Sequence, residues 1–140
     1  MTKRIFIVIG LLTVSLLLSL VSWSCVADKI TASLGQEFTL PVGKTATIDG
    51  ENLTLKFIEV FGDSRCPKGV ECVWVGEALC RMLFTYAGSP AEMDLTQPGG
   101  DVAARDYFIN YKISFKLEPY PQEGQQIAPS EYRLVMTVTK

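Results

Sequence analysis

From Gln36 to the C-terminus the chain alternates apolar and polar residues with a period of two, the signature of half-buried β-strands. "QEFTLPV" places Phe38, Leu40 and Val42 on one side, and "TATI" places Ala46 with Ile48. In "LTLKFIEVF", Leu53, Leu55 and Phe57 oppose Thr54 and Lys56, and the phase is then lost at Ile58, Glu59 and Val60, as at a bulge. "ALCRMLFTY" sets Ala78, Cys80, Met82, Phe84 and Tyr86 against Leu79, Arg81, Leu83 and Thr85. "YKISFKLE" sets Tyr111, Ile113, Phe115 and Leu117 against Lys112, Ser114, Lys116 and Glu118. The chain closes on "YRLVMTVTK", with Tyr132, Leu134, Met136 and Val138 on one face. Turn residues separate these runs at Pro41-Val42-Gly43, Pro98-Gly99-Gly100 and from Pro119 to Pro129, and Asp49-Gly50 reads as a hairpin. After residue 28 only "AARDYFINY" approaches a helical period, and it is short. The pattern predicts an all-β domain: a single antiparallel β-sandwich of immunoglobulin-like size with six to eight strands, or a small barrel.

The first residues follow a different pattern. Lys3 and Arg4 precede an uncharged stretch, Ile5 to Ala27, that is almost wholly aliphatic as far as Leu20. This is the layout of a secretory signal, and the stretch is also long enough for a membrane-anchor helix. Three readings compete: a lipoprotein signal cut just before an acylated Cys25, cleavage after Ala27, or an uncleaved anchor. Ser24 suits the small position before a lipidated cysteine, whereas Ser22 and Trp23 do not suit the rest of such a signal. All three leave Lys3 and Arg4 in the cytoplasm and export the remainder of the chain. The expected organisation is therefore a signal peptide or membrane anchor over 1–25, a tether over 26–34 and the β domain over 35–140. The expected location is the cell envelope, at the outer face of the cytoplasmic membrane or in the periplasm, with Cys25 as the lipid anchor.

Charge and residue inventory narrow the chemistry. Without its first 24 residues the chain has 11 basic and 15 acidic residues, and mild acidity argues against a nucleic-acid partner. There is no histidine for a nucleophilic triad or a metal site. There is also no SxxK, Walker, GxGxxG or EF-hand pattern. No cofactor and no metal are expected.

What chemistry there is crowds into "RCPKGVECVWVGEALC", residues 65–80, with three of the four cysteines. Cys80 shares the inward face of Met82 and Phe84 and reads as a small core residue. Cys66 and Cys72 flank "PKGVE", where Pro67 and Gly69 let the chain turn back, and in an exported protein they are expected to pair. Closing so short a loop stabilises by about 2 kcal/mol in the chain-entropy treatment. Trp74 has two readings: packed on this disulfide as a core device, the preferred one, or displayed for a protein or carbohydrate partner. Gly76 would admit a close backbone neighbour. Asp63, Arg65, Glu71 and Glu77 surround the loop. They are either solvent-facing polar groups with Arg65 paired to a carboxylate, or acid–base carboxylates of a hydrolase. Tyr120 and Tyr132 are placed to tie down the proline-rich crossover between them.

"DSRCPKGVECVWVGEA", "YKISFKLEPYP" and "SEYRLVMTV" together resemble a family of uncharacterised bacterial exported proteins and lipoproteins with a DSRCP…CxWxG(E/N)A block and a late LxPyP…dY block. The resemblance spans roughly residues 38 to 139. It implies export, a β-rich fold and pairing of Cys66 with Cys72, and it brings no activity. Cys80 stands where similar chains carry an aliphatic residue, which agrees with a core role. The resulting expectation is a non-enzymatic, membrane-tethered binding or structural module, with Asp63, Arg65, Trp74 and Glu77 as its candidate binding surface. The alternatives are a secreted inhibitor or adhesion domain that uses the Cys66–Cys72 loop, then a carboxylate-dependent hydrolase. Mass analysis of the mature protein should find a diacylglycerol adduct on Cys25; an unmodified Cys25 in membrane-extracted protein would remove the lipid anchor.

Overall fold

The computed structural model describes residues 29–140, so the expected signal or anchor and the acylation of Cys25 lie outside the described residues. Among the described residues nine strands succeed one another: β1 (Lys29–Ala32), β2 (Glu37–Pro41), β3 (Thr45–Ile48), β4 (Leu53–Asp63), β5 (Glu77–Tyr86), β6 (Ser89–Pro98), β7 (Ala104–Phe108), β8 (Tyr111–Glu118) and β9 (Arg133–Thr139). They form two open sheets, one in the order β1-β3-β4-β5-β6 and one in the order β2-β9-β8-β7. The all-β expectation therefore holds, with three corrections. Strands number nine rather than six to eight, the sheets do not close into a barrel, and β1 lies parallel to β3, so one sheet is mixed.

The inner faces of both sheets contribute to one buried cluster. The alternation read from the sequence supplies most of it: Leu53, Leu55 and Phe57 from β4, Cys80, Met82 and Phe84 from β5, Ile113, Phe115 and Leu117 from β8, Leu134, Met136 and Val138 from β9. Phe84 of one sheet stacks on Phe108 of the other, ring centres 4.7 Å apart. Where the phase fails in β4, the pairing with β5 slips twice, between Phe57 and Glu59 and between Val60 and Gly62. Those bulges turn the last part of β4 and re-aim Asp63.

Three elements differ from expectation. Residues 29–32 of the supposed tether form β1, because Ala32 is buried and the strand pairs with Thr45–Ile48 along an otherwise open edge. "ARDYF" is extended, as β7, and a two-residue turn at Ile109-Asn110 returns it onto β8. β6 carries no clear alternation because it closes an edge of its sheet, where only one face of its inner half meets the core, at Leu95 and Gln97. The Asp49-Gly50 turn joins β3 to β4 as read, through a four-residue loop between Ile48 and Leu53.

Cys80 is fully buried and its thiol is pushed up to about 12 by that burial. Alkylation followed by peptide mapping should leave Cys80 unlabelled in the folded protein and label it in denaturant; labelling at equal rates in both would contradict its place in the core.

Candidate functional site

The clearest cluster of polar side chains lies where β4 leaves its sheet. Arg65 follows the twist of β4 inward and is buried, with 3% of its surface exposed. Its guanidinium forks onto Asp63: Nε donates to Oδ1 at 2.9 Å and Nη2 to Oδ2 at 2.7 Å. Nη1 donates to the Leu117 carbonyl at 2.8 Å and Nη2 to that of Pro119 at 3.0 Å, on the opposite sheet and the crossover after it. The Tyr132 hydroxyl donates to Asp63 Oδ2 at 3.0 Å, so the start of the last strand joins the same group. Burial by itself would raise the Asp63 carboxyl pKa. The hydrogen bonds and charge of Arg65, with the Tyr132 hydroxyl, outweigh this and hold the carboxyl below the usual carboxylate range. Burial, then the bonded Asp63 carboxylate, pushes the Tyr132 hydroxyl up to about 12.

A second buried polar side chain works beside it. β7 reaches only as far as Phe115 along β8, so it does not pair with Leu117. The Leu117 N–H donates to Oε1 of Gln97 at 3.2 Å, and its carbonyl receives Arg65. Gln97, 1% exposed, comes from the edge of the other sheet. One residue of β8 is thus clamped from across the core through both of its backbone groups.

Around this anchor three chain segments cross closely. Ser64 N–H donates to the Glu77 carbonyl, Cys66 N–H to Val75, and Gly99 N–H to Gly76. A Cβ on Gly76 would sit 1.8 Å from the Ser64 carbonyl oxygen, and one on Gly99 equally close to that of Val75. Gly76 also has φ +67°, so both crowding and conformation require glycine there. The loop is closed by the Cys66–Cys72 disulfide, S–S 2.07 Å with Cα atoms 6.0 Å apart.

Beyond that frame the loop turns its apolar residues outward. Val73 is 90% exposed, Trp74 81% and Val75 66%. The preferred reading of Trp74 as a core residue packed on the disulfide is therefore wrong. Residues 64–66 and 75–77 cross in this frame, Lys68 is held to the crossover through Pro121 and Glu123, and the side chains of residues 70–75 are exposed outside it. The corrections to the candidate surface have the same geometric origin. Arg65 is inward and bonded to Asp63, so it is not presented to a partner; Asp63 keeps only an edge on a depression it shares with Tyr132, whereas Trp74 and Glu77 are exposed. The hydrolase arrangement is not assembled. Asp63 pairs opposite buried Ala78 and is bound up with Arg65, Glu77 points from the opposite face, and Glu71 is exposed in the loop. Among the described residues no group of three or more histidine, cysteine or acidic side chains is placed to hold a metal.

Two depressions flank the loop. A polar cleft of 480 Å³ is lined by Lys68, Asp101, Lys116, Glu118, Tyr120 and Arg133, among others. Most of its charges are paired within it: Lys68 and Lys116 share Asp101, each at 2.7 Å, and Arg133 reaches Glu118 at 3.1 Å. Asp101 is held down to about 2, first by Lys116 and then by Lys68. Tyr120 lies between two cations, its ring centre 5.1 Å from Arg65 and 5.2 Å from Lys68, and its hydroxyl accepts from Gly100 N–H. A shallower groove of 340 Å³ runs under the disulfide, between Cys66, Val70, Val75 and Tyr120. Sequence reasoning anticipated neither cleft, because their walls are brought together from separate loops and, in the polar cleft, from β8 and β9. Tyr120 and Tyr132 do tie down the crossover, through Gly100 and Asp63.

Comparison with protein-family models, with curated proteins and with solved structures gives no match.

The Arg65 cluster yields a paired test. Arg65→Met leaves a half-buried carboxylate and two carbonyls without their donor and should cost about 3–5 kcal/mol of stability in denaturant titration. Because the folded Asp63 pKa lies below its unfolded value, its stabilisation is complete above the ordinary carboxylate range, about pH 4, and is lost as pH falls toward the folded value. Asp63→Asn should therefore lose stability less steeply than the native chain below about pH 4; identical slopes would show that the pair does not govern acid stability.

Proposed function

We propose that the protein is an exported, membrane-tethered, non-enzymatic β-sandwich module that acts by contact through its stapled loop. One observation carries this reading: Val73, Trp74 and Val75 stand exposed in succession on a loop whose base is fixed by a disulfide and a buried ion pair. Large apolar side chains held outward on a rigid support have their hydration to gain by association, and tryptophan is the residue most enriched at binding hot spots. The loop arrives with its ordering largely complete, so little flexibility is lost when it is covered. Export and tethering rest on the basic head and the uncharged stretch 5–27. A secreted inhibitor or adhesion domain would use the same loop, but that uncharged stretch favours the tethered form.

Trp74→Ser tests the separation of contact from fold. Its thermal midpoint should match the native value, since the ring is exposed. A photoreactive residue at position 73 in the intact envelope should label a neighbouring molecule, while the same probe at Glu92, exposed on the β6 edge, should not. Equal labelling from both positions would remove the loop as the contact.

A further inference from the structure

The path of the chain into the first strand gives the loop a direction. β1 is parallel to β3, with Lys29 opposite Thr45 and Ala32 opposite Ile48. Thr45 in turn pairs with Lys56, and Ile48 with Leu53. Since β4 runs from Leu53 toward Asp63 and the disulfide loop, Lys29 is the end of β1 nearer that loop. The chain thus enters the domain from the side on which Trp74 is displayed.

Cys25 is four residues before Lys29, so their Cα atoms are separated by at most about 14 Å. β4 continues seven residues past the level of Lys29, from Lys56 to Asp63, or roughly 23 Å, before the loop begins. A bilayer holding Cys25 or the uncharged stretch therefore lies closer to Lys29 than the loop end of β4 does, and the domain cannot stand off from it by more than this short connection. The residues that arrive there suit the interface. Tryptophan favours the headgroup level, and two valines flank it. Lys68, in the same loop, is already paired to Asp101, and the exposed charges next to these residues in sequence, Glu71 and Glu77, are negative. Attraction to anionic lipid is therefore not the driving term.

We infer that the Val73–Trp74–Val75 tip inserts into the headgroup region of the bilayer to which the chain is tethered, as a second, apolar attachment that lays the domain against the membrane. The inference rests on the tethering proposed above. It goes further in naming the lipid surface, rather than a protein or a carbohydrate, as what covers Trp74.

The test uses the full chain with Trp23→Phe, which leaves Trp74 as the remaining tryptophan. It is reconstituted into vesicles of phosphatidylcholine alone and of phosphatidylcholine with phosphatidylglycerol, and recovered by flotation. Trp74 emission should be blue-shifted, quenched by lipids brominated near the headgroup and shielded from aqueous iodide, equally in both compositions. Adding Val73→Asp should return the emission to the red and restore iodide quenching while the protein still floats. Floating protein whose Trp74 remains open to iodide and untouched by brominated lipid would overturn the insertion and leave the tether standing. Shielding in native membranes without shielding in lipid vesicles would overturn it in favour of a protein or carbohydrate contact. Failure to float would overturn the tether and the insertion together.

Discussion

The end of the molecule that carries the loop depends on a charge that cannot be switched off. A guanidinium stays protonated at any physiological pH, so a buried arginine must be given acceptors or left out of the core. Arg65 is given four, spread over Asp63, Leu117 and Pro119, and these come together only when β4, the end of β8 and the crossover are in their native places. Replacing a buried ion pair with well-packed apolar groups is often neutral or stabilising. The contribution of Arg65 is accordingly one of position. It converts the twisted end of one sheet, a turn of the other and the start of the last strand into a single fixed base.

That base inverts the usual distribution of residue types. Its interior holds Arg65, Asp63 and Gln97, while its exterior displays valines and a tryptophan. The inversion is stable because these three polar side chains all have partners, so the fold does not require the loop's apolar residues inside. Their hydrophobic area stays available for whatever surface covers the loop. The neighbouring cleft behaves differently. Its two lysines share Asp101 and its arginine takes Glu118, all at contact distance, so most of its charge is already engaged within the cleft.

The strands of the core were legible in the sequence wherever one face is buried and the other is wet, as in β5, β8 and β9, because that condition writes itself as alternation. β1 and β6 were hidden because edge strands bury few residues, and β7 because its short run mixes both periods. The disulfide followed from loop length and compartment. The burial of Arg65 did not, since an arginine between a turn and a cysteine reads as solvent-facing until the carbonyls of Leu117 and Pro119 are brought beside it from more than fifty residues away. Trp74 misled for the complementary reason. Tryptophan near a disulfide is commonly internal, but what excludes it here is a crossing of three segments that no local pattern announces.

The close crossing at Gly76 and Gly99 separates two kinds of position. At these glycines the backbone leaves no room for any side chain, and at Arg65 the bonded groups leave no choice of side chain. Between them, residues 68 to 75 are all exposed and contribute nothing to the core. Apart from Cys72, held in the disulfide, and Lys68 and Gly69, held against the crossover, the intervening part of the loop is free to drift while its ends are frozen, as in a scaffold with one exchangeable segment. Specificity at this end can be rewritten residue by residue without renegotiating the fold.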